Sequence, residues 1–421
     1  MKNAEFYYFA LADDLPRKDK LHWFDTTKFK DIPFERIYPD EKGNWLNLTD
    51  NDFESLMPLI DKNNDNTIFR FSSLGVSTNR DEWIYDFSEK NLNSKMQFFI
   101  KTYNELLANY DESWNEIIKW SECLKTIFKR KEKITFDKNL LRESNYRPFI
   151  KQFFYSEKCL NDRLTQNHYE IFGTKLDKTN ELIGVHFGSR LEFCLISTNL
   201  IPNLATFSLD PARWLPLYRY DIEGNPHENI TNWALTQFKN QYEMELTKTD
   251  IFHYVYAVLH NPLYREKYEQ NLKREFPRIP FYDDFSQWVE WGKTLMDLHL
   301  NYETVEPYPL KRVDSKTSEK PKVKLKADKI NGVIELDENT NLSGIPVEAW
   351  EYKLGNRSAL EWILDQYKEK KPKDVTIAEK FNVYRFADYK ESVIDLLMRV
   401  CRVSVETLAI VEKMKPHTVC K

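Results

Sequence analysis

Two stretches of the chain combine residue types that can hold and read an anionic polymer. The run Ser73-Leu74-Gly75-Val76-Ser77-Thr78-Asn79-Arg80-Asp81 brings together a glycine, short hydroxyl and amide side chains, and an arginine. Phosphate oxygens accept from backbone N–H groups and from Ser, Thr and Asn side chains, while Asn and Arg reach base edges. An ordinary polar loop in which Asp81 pairs with Arg80 fits the same residues. Further on, Arg142, Tyr146, Arg147, Lys151, Tyr155 and Arg163 interleave cations with aromatic rings. This suits backbone contacts with stacking, and equally a surface that lays arginine stems across a core.

Enzymatic signatures are absent or weak. No GxxxxGK[ST] motif occurs, and no GxGxxG turn follows a strand, so a nucleoside-triphosphate loop or a self-contained dinucleotide or S-adenosylmethionine pocket is not supported. Asp210-Pro211-Ala212-Arg213-Trp214 lacks the second proline and the adjacent aromatic of an amino-methyltransferase loop and reads as a proline-started turn. Asp337 with Glu351-Tyr352-Lys353 has the residue types of a metal-dependent nuclease, but reads better as strand surface. His186 lies inside an apolar run and is expected to be a satisfied core histidine; the histidines have no paired metal-ligand spacing.

The positioning framework is large. At 421 residues the chain is long enough for two or three domains. Hydrophobic residues at 41% and charged residues at 30% describe a globular chain, and 10 Gly with 18 Pro exclude collagen-like and low-complexity classes. No apolar run approaches the length of a membrane span and no leader layout is visible, so neither a span nor export is expected. The five scattered cysteines have no CxxC spacing and read as reduced, cytoplasmic thiols rather than a zinc site. The net charge of -5 hides a polarity: residues 125–163 carry eleven Lys/Arg against five Asp/Glu, and residues 1–62 carry nine against thirteen. A basic middle matters more to a polyanion than the overall sum, although a solvated helix face accounts for it equally well.

Apolar periodicity predicts strands at 5–11 and 32–37 with a helix over 16–27 between them, and short strands at 67–71 and 82–87 flanking the polar loop 72–80. Helical spacing covers 89–109 and 112–128, and a β-like region runs over 181–219. Asp250 opens a helix over 251–260, and Asn261-Pro262 caps one over 263–273. Asp283-Asp284 start another that ends at Leu300. Residues 311–329, with eight Lys/Arg and three Asp/Glu, form a linker or an exposed strand edge. A hairpin over 333–336 and 347–353, a helix over 357–370 capped by Asn356, and a long amphipathic helix over 387–413 follow. Long helices and clustered strands without βαβ alternation give an α+β class.

Several runs, in order, are similar to a known family. Gly75-Val76-Ser77-Thr78-Asn79-Arg80-Asp81-Glu82-Trp83-Ile84-Tyr85-Asp86, Tyr146-Arg147-Pro148-Phe149 with Asp162-Arg163, and Ile201-Pro202-Asn203-Leu204 belong to this array. So do Tyr254-Val255-Tyr256-Ala257-Val258-Leu259-His260-Asn261-Pro262 with Tyr264-Arg265, and Phe276-Pro277-Arg278-Ile279-Pro280. Together they resemble the C-terminal specificity region of Type ISP single-polypeptide restriction-modification enzymes over about 68–300. In that family a nuclease, a helicase-like motor, an adenine-N6 methyltransferase and a target-recognition domain follow one another.

The resemblance implies that residues 1–60 are the tail of a methyltransferase-like core or a connector. Residues 61–310 would be the target-recognition domain, and 311–421 a basic linker, hairpin and C-terminal helices. It implies sequence-specific binding of double-stranded DNA, with methyltransferase, helicase and nuclease domains of the same system as partners and no membrane. No catalytic residue, metal or cofactor is expected in this chain, S-adenosylmethionine belonging to the associated methyltransferase domain. The expected DNA contacts are Thr78, Asn79 and Arg80 in the loop, Arg142, Arg147, Lys151 and Arg163 on the basic face, and Arg190 and Arg213 in the β-like region. A protein-interaction or scaffold module of a phage-defence complex remains open, as does a methyltransferase completed by a cofactor-binding half in another chain.

Overall fold

The helix Lys248–His260 begins with a reciprocal cap, in which the Asp250 N–H donates to the Thr247 hydroxyl at 3.2 Å and the Thr247 N–H to the Asp250 carboxylate at 2.7 Å. Almost every residue from Ile251 to His260 is buried. The helix lies against Phe285–Leu300 so closely that a Cβ on Gly292 would collide with the His253 carbonyl, which only glycine permits. These coordinates are a computed structural model. It describes residues 4–12, 15–39, 43, 45–46, 49, 51–61, 64–109, 116–208, 210–315, 318–417 and 419–420.

Three four-stranded sheets organise the rest, giving an α+β fold. The first runs in the order Ile201–Pro202, Leu141–Arg147, Ile150–Tyr155, Tyr85–Asp86; its first pair is parallel and the others antiparallel. The second, wholly antiparallel, runs Ser73–Leu74, Arg213–Pro216, Leu182–His186, Cys194–Thr198. The third runs Lys311–Asp314, Thr340–Ser343, Val333–Asp337, Val323–Asp328.

The second sheet is covered on both faces and divides two cores. Strand alternation sends Leu182, Cys194, Ile196 and Trp214 into one core, and Ile183, Val185, Leu195 and Leu215 into the other. The first core also holds the helices Glu89–Ala108 and Ala359–Gln366 and much of Phe386–Met414; the second holds Lys248–His260 and Phe285–Leu300. Continuous apolar runs such as Leu182–His186 follow from two-sided burial.

The long C-terminal helix and the caps at Asn261 and Asp284 agree with the sequence reading. The helix expected over 112–128 starts only at Glu122, capped by Ser121, and residues 110–115 lie outside the described ones. The helix expected from 357 starts at Ala359, because Arg357–Ser358 pairs with Lys353–Leu354 and Ser358, not Asn356, makes the cap with Glu361. Val333–Asp337 pairs with Thr340–Ser343 and Val323–Asp328, while 348–351 is a short helix, so the expected hairpin with 347–353 does not form. The basic stretch 311–329 supplies both edge strands of the third sheet, where lysine discourages further pairing.

At the N-terminal end, Phe6–Tyr8 pairs with Glu35–Ile37 and the helix Arg17–Thr26 buries none of its residues. Phe24 and Phe29 are 75% and 79% exposed, and Tyr7, Leu21 and Tyr38 are exposed as well. No helix among the described residues is long and apolar enough to cross a membrane, and none of their carboxylates, histidines and cysteines cluster as a metal site.

Candidate nucleic-acid interface

Three of the sequence runs, far apart in the chain, meet around one carboxylate. Asp81 opens a short helix, Asp81–Ile84, at the end of the polar loop. It accepts a hydrogen bond from the Thr78 hydroxyl, one from the Tyr146 hydroxyl at 3.2 Å and one from the Asn203 amide at 3.4 Å. Burial pushes the Tyr146 phenol up to about 12, so it stays protonated and donates. Arg147 lies with its guanidinium 4.0 Å above the Tyr146 ring and donates to the Asn203 amide oxygen at 3.0 Å.

The backbone repeats this convergence. Val76 donates to the Pro202 carbonyl and receives a bond from Leu204, both at 2.8 Å, and the Asn203 N–H donates to Asn145 at 3.0 Å. The two chains cross so tightly at Gly75 that a Cβ there would meet the Asn203 carbonyl. Ser77 is tied from the other side, because the Arg163 N–H donates to its carbonyl at 2.9 Å.

Within this frame residues 75–78 and Arg80 are buried, and Asn79 alone is exposed. Its φ of 53° lies in the left-handed region, which asparagine tolerates better than most residues. The loop therefore presents one amide side chain on a fixed backbone. Donor and acceptor on that amide match the major-groove edge of an adenine.

The other expected residues divide into groups. Arg163 is exposed beside the loop, with Asp162 at 3.8 Å. Arg147 is half-buried at the same end of the strand Leu141–Arg147, and Lys151, opposite Asn145 in register, pairs with Glu303. Arg142, at the far end of that strand, donates to the carbonyls of Leu176, Lys175, Asn139 and Leu141 and so braces a turn. Arg190 is exposed on the second sheet's hairpin loop and pairs with Asp210 at 3.0 Å. Arg213 lines a separate cleft with Arg274, Arg278 and Phe187.

Thr78, Arg80 and His186 depart from what the sequence leads one to expect. Thr78 is buried and serves Asp81, and Arg80 is only 4% exposed, with its guanidinium 5.4 Å above the Phe99 ring. None of the Arg80 side-chain nitrogens has a hydrogen-bond partner among the described residues, and burial pushes its pKa down to about 10. In this arrangement neither side chain can reach a phosphate, and Asp81 does not pair with Arg80. His186 is buried as expected but is not satisfied, since neither ring nitrogen has a partner among the described residues.

Asp81, Tyr146 and Asn203 are the organising residues that sequence reasoning did not assign. Their spacing gives no local signal, although each stands inside one of the recognised runs. The residues of the weak nuclease pattern do not converge: Asp337 accepts from Lys390 at 2.7 Å and from the N–H groups of Asn339 and Thr340, while Glu351 ends a helix. Trp214 packs on Gly184, where a Cβ would strike its ring, so the Asp-Pro-Ala-Arg-Trp segment is a packing element.

Residues 67–396 match the family model described as the Type ISP C-terminal specificity domain. Solved structures with the same fold include the DrdV–DNA complex, at 42% identity and a TM-score of 0.82, covering 98% of this chain and 43% of that one. A nuclease-deletion mutant of the Type ISP restriction-modification enzyme LlaGI in complex with a DNA substrate mimic is 30% identical, with a TM-score of 0.77; the match covers 100% of this chain and 40% of that one. The ATP-dependent Type ISP enzyme LlaBIII bound to DNA is 26% identical, with a TM-score of 0.78 and coverage of 92% and 26%. The chain thus spans less than half the length of each of these proteins. No curated protein matches it.

Proposed function

The chain belongs to the Type ISP C-terminal specificity domain family, and from that premise we propose that it reads a sequence in double-stranded DNA for a restriction-modification system. The observation that carries the reading is the convergence on Asp81, which leaves Asn79 as the exposed side chain of a rigid loop. Arg147 and Arg163 flank that loop with cationic groups suited to phosphate or guanine. Phosphate contacts fix register, and base-edge contacts carry specificity. The neighbours of the same fold were solved with DNA or a DNA mimic, which supports the same ligand here.

The chemistry belongs to other parts of such a system: an adenine-N6 methyltransferase that holds S-adenosylmethionine, a helicase-like motor and a nuclease. This chain would hold the duplex while the methyltransferase takes the target adenine out of the stack. Phe24, on a helix with no buried residue, is exposed, as are Tyr7, Phe29 and Tyr38 in the neighbouring segments, which suits a face docked on the methyltransferase domain. A cytoplasmic location goes with this reading.

The test is selection from a randomised duplex library at low and then physiological salt, followed by sequencing. The reading requires one asymmetric motif whose enrichment persists as salt rises. Binding that is uniform over sequence and lost with salt would leave only an electrostatic patch and would overturn it.

A further inference from the structure

A two-stranded ribbon, Tyr218–Tyr220 paired with Pro226–Glu228, stands out from the fold on the side of the helix Gln166–Phe172. Its tip is unusually well built for so exposed a turn. The Asp221 carboxylate accepts from the Asn225 N–H at 2.8 Å, from the Asn225 amide at 3.0 Å and from the His227 ring at 3.0 Å. Gly224 supplies the left-handed residue at φ 84°. The rigid turn presents Ile222, which is 81% exposed.

Beneath the ribbon lies a cleft of about 640 Å³ lined by charged side chains of both signs. Its carboxylates each have a partner: Glu170 pairs with Arg219 at 2.7 Å and Glu228 with Lys248 at 3.1 Å, while Asp221 is hydrogen-bonded to the His227 ring. Arg70 and Lys158, which also line it, are exposed and have no carboxylate partner among the described residues. The cleft adjoins the Asn79 loop through the chain itself. Lys158 begins a short helix, Lys158–Leu160, and three residues after it the Arg163 N–H bonds Ser77.

We propose that this ribbon is a second DNA-reading element, which enters the major groove, packs Ile222 on a thymine methyl group, and leaves Arg70 and Lys158 to hold the phosphates of the strand lying in the cleft. The inference rests on the DNA reading above and adds a site to it. The major groove is wide enough for a two-stranded ribbon, and the thymine methyl is the one apolar group it displays. An apolar tip over a pair of unmatched cations answers both surfaces of the duplex at once.

The test uses the full chain and the duplex that library selection yields, with each thymine replaced in turn by deoxyuridine. Loss of one methyl contact is expected to weaken wild-type binding about fourfold at one position. That step should vanish in Ile222→Ala, whose side chain is outside the core, with thermal melting as the folding control. Arg70→Ala with Lys158→Ala should keep the deoxyuridine step and lower the slope of log affinity against log salt by about two. If wild-type protein binds every deoxyuridine duplex equally, or Ile222→Ala keeps the same step, the ribbon is not a reader. If the wild-type chain shows no salt-dependent binding to any duplex, the DNA reading and this inference both fall.

Discussion

Asp81 and Tyr146, 65 residues apart, are joined by a 3.2 Å hydrogen bond from the phenol to the carboxylate. The bond links the first helix after the polar loop to the first sheet, and with Asn203 it makes the loop part of the sheet's edge. Asp81 is in this sense a positioning residue: it holds Thr78, Tyr146 and Asn203, and through them the loop that exposes Asn79.

Replacing Asp81 by Ala strands the donors of Thr78, Tyr146 and Asn203. The expected loss of stability is about 1–3 kcal/mol, the usual effect of unsatisfied buried polar groups. Binding to the selected DNA motif should weaken while binding to unrelated duplex and the salt slope stay as they were, since no phosphate contact is removed. Parallel titrations of the two duplexes check this; equal losses on both would show that Asp81 does not act through the reading loop.

Arg80 gives the opposite expectation. Its guanidinium is desolvated without a partner among the described residues, and its pKa falls to about 10 for that reason. Arg80→Met keeps the apolar stem against Phe99 and removes the desolvated charge, so urea unfolding should show a gain of about 1–3 kcal/mol. The folded state holds the Arg80 proton less tightly than the unfolded chain. Its destabilising effect is therefore full at neutral pH and fades as pH rises through 10, a trend the Met variant should lose. The salt slope of DNA binding should not change.

Much of the frame was legible in the sequence because its signals are local. Thr247 and Asp250 lie three residues apart, Asn261 precedes Pro262, and the apolar spacing of the last helix repeats over 29 residues. The loop itself was legible from its glycine and short polar residues. What it does with them was not. Thr78 and Arg80 have the composition of contact residues, and only packing against Phe99 and bonding to Asp81 turn them inward. Arg142 likewise reads as a free cation until the carbonyls of Lys175 and Leu176, more than thirty residues away, come within reach. The split of one sheet between two cores is equally hidden, since Leu182–His186 is apolar on both faces and shows no alternation.

Acid should unfold the protein through buried histidines. Burial pushes His168 down to about 4 and His299 to about 3, from an ordinary value of 6.5, and His260 well below it. The His299 ring meets the hydroxyls of Tyr256, Thr407 and Tyr352, which satisfy a neutral imidazole. The unfolded chain therefore binds more protons below pH 6.5. Stability should be flat just above pH 7 and fall from 6.5 toward 4, approaching about 1.4 kcal/mol per pH unit for each histidine. Urea unfolding across that range measures the slope, and His299→Gln should remove one histidine's share of it; an unchanged slope in that variant would place the titration elsewhere.

Asn79 and Arg163 separate reading from holding. Alanine at position 79 would confuse side-chain loss with backbone strain, because φ is 53° there and a β-carbon without a local hydrogen bond is disfavoured. Asn79→Gly removes the amide and keeps the turn. It should flatten discrimination at one base pair by about 1–3 kcal/mol while leaving the salt slope intact. Arg163→Ala removes an exposed cation and keeps the backbone bond to Ser77, so affinity should fall on every duplex and the slope should shrink by about one. The two variants bracket the interface: if Asn79→Gly changes only the slope and Arg163→Ala only the preferred base, their roles are exchanged, and the guanidinium rather than the amide faces the groove.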